Sequence, residues 1–481
     1  MVHRFCNSSR KLTLVIWIVF FCYSVCAALI VQKLLLPLIP SLHAGGGLLF
    51  NDAVYFNTAA SYIAEQIRLH GWSYWQPLQL QGNVAILSAV YAILGEDPAW
   101  IIPINAALHA LGGLLIFLLA RELSEDKHIA ICAGMIAASL FVIFPSALNW
   151  YSQLHKDGYA IAGILLILLT LLKAVRRPTA IRDWIALAMG CITGLLMVAS
   201  VRPYLLEILV VAMLGACLAT IVVALARRRL RGGAALLVLL LLVGTTILFG
   251  GLEFFKEARP TTALSPESGY SRDNWQSSNW QWQNTTWLPG CIEHYIEAAA
   301  RNRAVVINHG FQVKAQSMID PDIAPQNISE VVSFLPRALQ VAIFAPFPSS
   351  WLKNRSLFHM VASGEMFIFY LCFPGILLLL WYNRNPAVLL SLYFSCFFLL
   401  ALGFTNANLG TLYRMRYGYF FILLLQGVLG WITWLDRTGR FQRLFNLVSP
   451  SIRWSQSDAL AETDQLPLRK KRSTRDLWSW F

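Results

Sequence analysis

The sequence predicts an all-α, polytopic membrane protein with about 10 transmembrane helices and both termini on the cytoplasmic side. Three observations carry this. Of the 481 residues, 57% are hydrophobic and only 13% are charged, and the mean hydropathy is +0.57; soluble domains run nearer a quarter charged. The apolar residues come in runs of about twenty, the length a helix needs to cross a hydrocarbon core. The basic residues collect in alternate connections. Together these exclude a soluble enzyme and a disordered scaffold.

The apolar runs fall at 12–36, 99–120, 128–147, 157–174, 184–201, 203–226, 233–252, 361–381, 386–404 and 417–434. As helices, they satisfy their own backbone hydrogen bonds, which the hydrocarbon demands. Spans five and six are joined by very few residues around Pro203. The first run exceeds a signal-peptide core and no A-x-A site follows it, so it reads as an anchor. Val84–Leu94 is too short to cross and reads as an interfacial or re-entrant helix.

Sidedness follows from the basic residues. Arg4, Arg10 and Lys11 precede the first span; Lys173, Arg176, Arg177 and Arg182 flank the connection between spans four and five; Arg227, Arg228, Arg229 and Arg231 follow span six. All share one side with the tail, 435–481, whose Arg469-Lys470-Lys471-Arg472 run suits anionic inner-leaflet headgroups. That side is cytoplasmic by the positive-inside rule. The formal net charge of +13 is therefore a topology signal and requires no nucleic-acid partner. The frame leaves one transmembrane domain, 1–434, with two large outer loops at 37–98 and 253–360. Among the nine cysteines only Cys291 lies in an outer loop, so no outer disulfide framework forms. The cytoplasmic loops carry no G-x-x-x-x-G-K-[ST], which argues against an ATP-driven pump.

The candidate chemistry thus lies in the outer connections. Behind Gly45-Gly46-Gly47, an amphipathic helix begins at Asp52. The Asp52 carboxylate suits the N-terminus of that helix as a cap, and equally suits a general base acting on an acceptor hydroxyl. Trp72 and Trp75 read as interfacial anchors. Three ionisable groups in a row, His155-Lys156-Asp157, are costly at the mouth of a span without partners. Either Lys156 and Asp157 pair or snorkel, or Lys156 binds a phosphate that Asp157 or His155 helps orient. Arg202, before Pro203, either pairs with Glu207 or serves the same phosphate. Arg414 and Arg416 stand on the outer side against the positive-inside bias, and guanidinium forks suit phosphate or pyrophosphate at headgroup depth; generic lipid headgroups are the plain alternative. Trp275, Trp280, Trp282 and Trp287 suit either sugar stacking or a small packed subdomain. No H-x-x-x-H or H-E-x-x-H spacing occurs. No cofactor is implied, and the sequence leaves a divalent metal open.

The order of these features resembles the GT-C superfamily of integral membrane glycosyltransferases, in particular the family 39-like group of protein mannosyltransferases and lipid A aminoarabinose transferases. The resemblance rests on an N-in first span, Asn51-Asp52-Ala53-Val54-Tyr55 opening the first outer loop, Pro77-Leu78, a short helix closing in Leu94-Gly95, and a paired-span unit ending Phe144-Pro145. It covers about residues 12–175 and the ten-span frame. The family's usual Asp-Glu couplet is here Asn51-Asp52, and its Pro-Pro turn is Gln76-Pro77. The resemblance implies sugar transfer from a polyprenyl-phosphate carrier to a glycan, lipid or protein acceptor at the outer face, usually with inversion. It implies Asp52 as the catalytic acid–base residue and Tyr55 as the aromatic that follows it. It places Lys156 and Asp157 on the same cavity, and gives Arg202, Arg414 and Arg416 the leaving phosphate. A bacterial inner membrane with an outward-facing site is the expected setting. Two rivals remain: a polymerase or ligase of lipid-linked polysaccharide, which uses a diphosphate carrier, and a transporter, which favours charges near the midplane and broken helices.

Overall fold

A computed structural model describes residues 2–50, 52–77, 80–175, 180–226, 280–313, 315, 317–352, 356–383 and 385–440. Among these the chain is helical, with two isolated β-bridges and no strand. Among the described residues seven helices are long and apolar enough to cross a membrane, or eight if the bent pair Lys127–Ile143 and Pro145–Tyr151 is counted as one span. The chain is therefore a multi-pass membrane protein. The Tyr204–Leu218 stretch is a shorter apolar helix at the place of the sixth expected span. Every expected span except 233–252 thus meets a helix where the hydrophobic runs put it. The stretch 233–252, the basic residues Arg176, Arg177, Arg227, Arg228, Arg229 and Arg231, and the tail beyond residue 440 lie outside the described residues.

The bundle begins with α1 (Val2–Leu29), continued by a π-helical and a 3-10 turn to Leu38. The first outer loop follows, with α2 (Asp52–His70) and α3 (Gly82–Leu94). Their apolar faces meet in a separate small core containing Phe56, Ile63, Leu87 and Tyr91. The expected short helix is thus present as α3, packed on α2. Next come α4 (Ile102–Leu123), α5 (Lys127–Ile143), α6 (Pro145–Tyr151), α7 (Asp157–Val175), α8 (Ile181–Ala199) and α9 (Tyr204–Ala226). The 59° bend between α5 and α6 falls at Phe144-Pro145, where proline lacks the N–H that would continue the helix.

The second outer loop carries α10 (Gly290–Gln312) and α11 (Ile328–Phe344). The last spans are α12 (Leu357–Tyr382), α13 (Pro386–Thr405) and α15 (Tyr417–Arg437), with the short α14 (Leu409–Met415) between the final two. Nearly all of α15 from Tyr417 to Ile432 is buried, and it forms the axis of the bundle. It approaches α12 backbone to backbone: a Cβ on Gly427 would lie 2.5 Å from the Cys372 carbonyl oxygen. Small residues at such crossings are how membrane helices gain packing contact. The peripheral helices expose apolar side chains instead, as Leu14 and Val19 on α1 and Ile185 and Met189 on α8. Such exposure suits contact with lipid, where burial against protein brings no hydrophobic gain.

In the second loop, Trp280 and Trp282 pack on a cluster with Phe334, Ala338 and Phe404. Their indole N–H groups donate to the Pro325 carbonyl (3.1 Å) and Glu293 Oε1 (3.2 Å). These two tryptophans build a packed subdomain, whereas Trp287 is exposed and Trp275 lies outside the described residues.

The loop before α2 is held by its glycines. Gly45, Gly46 and Gly47 have φ of 103°, 60° and 79°, which side-chain-bearing residues rarely adopt. The Gln153 amide clamps the turn: Nε2 donates to the Gly47 carbonyl (3.2 Å) and Oε1 accepts from Leu49 N–H (2.9 Å). A Cβ on Gly47 would also meet the Gln32 carbonyl oxygen at 2.6 Å. Gly47→Ala is expected to destabilise the protein by more than about 1 kcal/mol from the backbone term alone. Thermal unfolding in detergent measures this, with Gly46→Ala as the comparison, since a Cβ there meets only Pro98 at 3.9 Å.

Candidate functional site

The connections expected on the outer side gather at one end of the bundle. Gly82 N–H donates to the Ser200 carbonyl (2.8 Å), and Asn83 Nδ2 to the Leu154 carbonyl (3.2 Å). Ile319 N–H donates to the Ala407 carbonyl (2.8 Å), so the second large loop joins the same end. Five stretches far apart in sequence therefore deliver their polar residues to one place.

Asp52 is the first residue of α2 and its side chain is half exposed. Its Oδ2 accepts from Arg414 Nη2 at 2.9 Å and lies 4.0 Å from His155 Nδ1. Arg414, in the last turn of α14, also reaches His155 Nδ1 through Nη1 (3.3 Å) and Asp157 Oδ2 through Nε (3.2 Å). Asp157 opens α7 and is 2% exposed; its Oδ1 accepts from Arg202 Nη2. Arg202 Nη1 donates in turn to the Tyr204 hydroxyl (2.7 Å). The result is a line of alternating charge: Asp52, Arg414, Asp157, Arg202.

Two simpler pairings weighed from sequence give way to this line. Arg202 turns to Asp157 rather than to Glu207. Lys156 does not pair with its neighbour Asp157; its Nζ donates to the neutral Gln81 Oε1 (3.1 Å) and lies 5.8 Å from the Phe56 ring centroid. Among the described residues no carboxylate lies within ion-pair distance of Lys156.

The electrostatics follow from burial and these partners. Burial pushes the Asp52 carboxyl up, but Arg414, and more weakly His155, hold it below the usual carboxylate range. Burial, with the Arg414 charge, pushes His155 down to about 4, leaving a neutral ring at pH 7. Because Nδ1 accepts from Arg414, the ring proton sits on Nε2. Burial and the Arg202 charge lower Lys156 to about 8, against the opposing pull of Asp157 and Asp52. Burial opposes the charge on Arg202, but the Tyr204 hydroxyl and Asp157 outweigh it and keep the group protonated.

Asp52, Tyr55, His155, Lys156, Arg202 and Arg414 all line one cavity of about 4130 Å³. Leu206, Val210 and Leu214 of α9 and Phe397 and Leu400 of α13 give it an apolar wall. Tyr55 stands one turn after Asp52, with its hydroxyl raised by burial. Arg416 is not in the cavity. It is 1% exposed and donates to the Ala342 and Ala345 carbonyls (both 2.6 Å) at the C-terminus of α11. Its expected place beside a phosphate is therefore corrected. Two positions along a helix rotate the side chain by about 200°, so Arg416 faces the bundle interior where Arg414 faces the cavity.

The model of a family of unknown function (DUF6541) matches residues 85–287. No curated protein and no solved structure matches the chain. The matched stretch includes His155, Lys156, Asp157 and Arg202 but stops short of Arg414 and begins after Asp52.

Sequence reasoning missed Gln81, Gln153 and Tyr204. Gln153 stood within a polar outer connection, but its clamp on the glycine turn spans 106 residues, and no local pattern announces it. Among the described residues no three His, Cys, Asp or Glu side chains are placed to share a metal ion. Asp52, His155 and Asp157 instead meet through Arg414.

Proposed function

We propose that this protein is a glycosyltransferase that moves a sugar from a polyprenyl-phosphate carrier to an acceptor hydroxyl at the outer membrane face. The observation that carries this reading is that a half-exposed carboxylate held in its ionised form, Asp52, and an ammonium without a carboxylate partner among the described residues, Lys156, line one cavity that also has an apolar wall. Asp52 accepts the acceptor's proton as its oxygen attacks the anomeric carbon. The carbon–oxygen bond to phosphate breaks, the electron pair leaves with the phosphate, and attack from the opposite side inverts the anomeric centre. Lys156 and Arg202 face the phosphate and stabilise its charge in a low-dielectric pocket. The neutral His155 and Arg414 orient Asp52.

The charge balance favours a monophosphate carrier. Asp52 and Asp157 are matched by Arg414 and Arg202, which leaves Lys156 as the surplus cation among these residues. One positive charge suits the single charge of a sugar phosphodiester better than the two of a diphosphate, the carrier a polysaccharide polymerase or ligase needs. The positive-inside arrangement turns this end of the bundle outward, and a bacterial inner membrane fits that setting.

The deciding experiment compares lipid-linked sugars and surface glycans of a host lacking this protein, rescued by wild type or Asp52→Asn. Loss of one sugar with accumulation of its polyprenyl-phosphate donor, restored by wild type alone, supports the reading. Accumulation of a diphosphate-linked glycan overturns it in favour of the polymerase or ligase.

A pH dependence follows from Lys156. The ammonium is charged below about 8 and neutral above it, so binding of a farnesyl-phosphate-linked sugar, whose phosphodiester keeps one charge throughout, to the detergent-solubilised protein is expected to weaken as pH rises through that value. Lys156→Arg keeps its charge and should move the decline to higher pH. An unchanged profile in Lys156→Arg would assign the phosphate to another group.

A further inference from the structure

Glu365 lies on α12, is buried, and does not line the cavity. Its two carboxylate oxygens serve two different elements. Oε1 accepts from Ser146 N–H at 2.7 Å, and Oε2 accepts from the Tyr413 hydroxyl at 2.8 Å. Ser146 is the second residue of α6, just past the bend at Pro145, where the first N–H groups of a helix have no partner of their own. From α6 the chain passes directly through His155 and Lys156 to Asp157. Tyr413 immediately precedes Arg414 on α14. On its other side, the Arg416 guanidinium lies 4.4 Å from the Tyr413 ring centroid while it grips the end of α11.

We propose that Glu365 is a positioning residue that joins the two arms of the site: through Ser146 it fixes the arm bearing His155, Lys156 and Asp157, and through Tyr413 it aims Arg414 at Asp52. Arg416 secures the same short helix from the far side. Residues 413 and 416 thus bracket Arg414, and a seven-residue helix too short to hold its own direction is fixed on both sides of that arginine. The inference uses the proposed reaction only in calling Asp52 the base; the geometry it describes stands without that.

The test avoids sugar transfer altogether, so its failure and that of the proposed reaction are separable. In the purified full chain, the protonated carboxyl band of Asp52 is followed by infrared difference spectroscopy across pH and assigned by its loss in Asp52→Asn. The charged or titratable groups facing Asp52 are Arg414, His155, Lys156 and Asp157. Arg414→Gln removes the main stabilising charge and sets the upper limit of the midpoint. Tyr413→Phe and Glu365→Gln are expected to raise the midpoint by at least half of the change that Arg414→Gln produces, because Arg414 then loses its hold on Asp52. A distant charge effect has the opposite sign: neutralising a carboxylate lowers a neighbouring acid's midpoint. A midpoint equal to wild type in folded Tyr413→Phe, which removes one oxygen and changes no charge, overturns the proposal and leaves Glu365 as a buried cap of α6. Tyr413→Phe decides the question even where Glu365→Gln fails to fold.

Discussion

Asp52→Asn is expected to reduce sugar transfer by roughly 10²–10⁴-fold, the usual contribution of a general base. Asparagine keeps the shape of the side chain and an oxygen for Arg414 Nη2, now 2.9 Å from Asp52 Oδ2. What it loses is the charge that accepts the proton. The side chain is half exposed, so its ion pair with Arg414 is screened and contributes little to folding. The variant should therefore retain its thermal midpoint while losing activity. Rates with a short-chain polyprenyl-phosphate sugar, beside a melting curve of the same preparation, measure both. Because Arg414 and His155 hold the Asp52 carboxyl below its ordinary range, it is ionised throughout the neutral region, and any fall in activity on the alkaline side belongs to Lys156. Full transfer by Asp52→Asn would leave the carboxylate as an element of helix geometry, the reading that sequence alone also allowed.

Asp157→Ala should have the largest effect on stability. This carboxylate is 2% exposed and lies between two guanidinium groups, Arg202 on Oδ1 and Arg414 on Oδ2. Truncating it leaves Arg202 buried without a counter-charge, and breaking a buried pair from one side costs about 3–5 kcal/mol. Removing both partners costs less, since replacing a buried pair by apolar groups of similar volume is often neutral. Asp157→Leu combined with Arg202→Met should therefore melt above Asp157→Ala alone, with Arg414 still paired to Asp52. Thermal unfolding of the single and double variants in detergent tests this. A double variant less stable than either single one would mean that the Arg202–Tyr204 contact, rather than the ion pair, holds this end of α9.

Much of the frame was legible because its causes are local. A run of apolar residues at 99–120 or 386–404 must become a helix in hydrocarbon, since no water remains to satisfy the backbone. Phe144-Pro145 marked the end of a unit, and proline's missing N–H is what bends α5 into α6. Gly45-Gly46-Gly47 before Asp52 marked a turn, and the positive φ values supply the reason for glycine. The candidate residues Asp52, His155, Lys156, Asp157, Arg202 and Arg414 were each visible as ionisable groups at the mouths of spans, where isolated charges are costly.

Their partners were not visible. Arg414 and Asp52 are separated by 362 residues, Arg202 and Asp157 by 45, and Lys156 and Gln81 by 75. Reasoning from neighbours offered Lys156 with Asp157 and Arg202 with Glu207 as alternatives to phosphate binding, and both pairings yielded to contacts across helices. Arg414 and Arg416 were equivalent as sequence, two outer arginines with the same claim on a phosphate. They differ because one faces the cavity and the other faces the carbonyls at the end of α11. The sequence by itself determined that this is a multi-pass helical membrane protein whose ionisable groups collect at the ends of its spans, since hydrophobic length and charge position are properties of short stretches. Only the tertiary structure decided which charges meet, which arginine is spent on packing, and that Glu365 touches both arms of the site, because those contacts depend on helices brought together from distant parts of the chain.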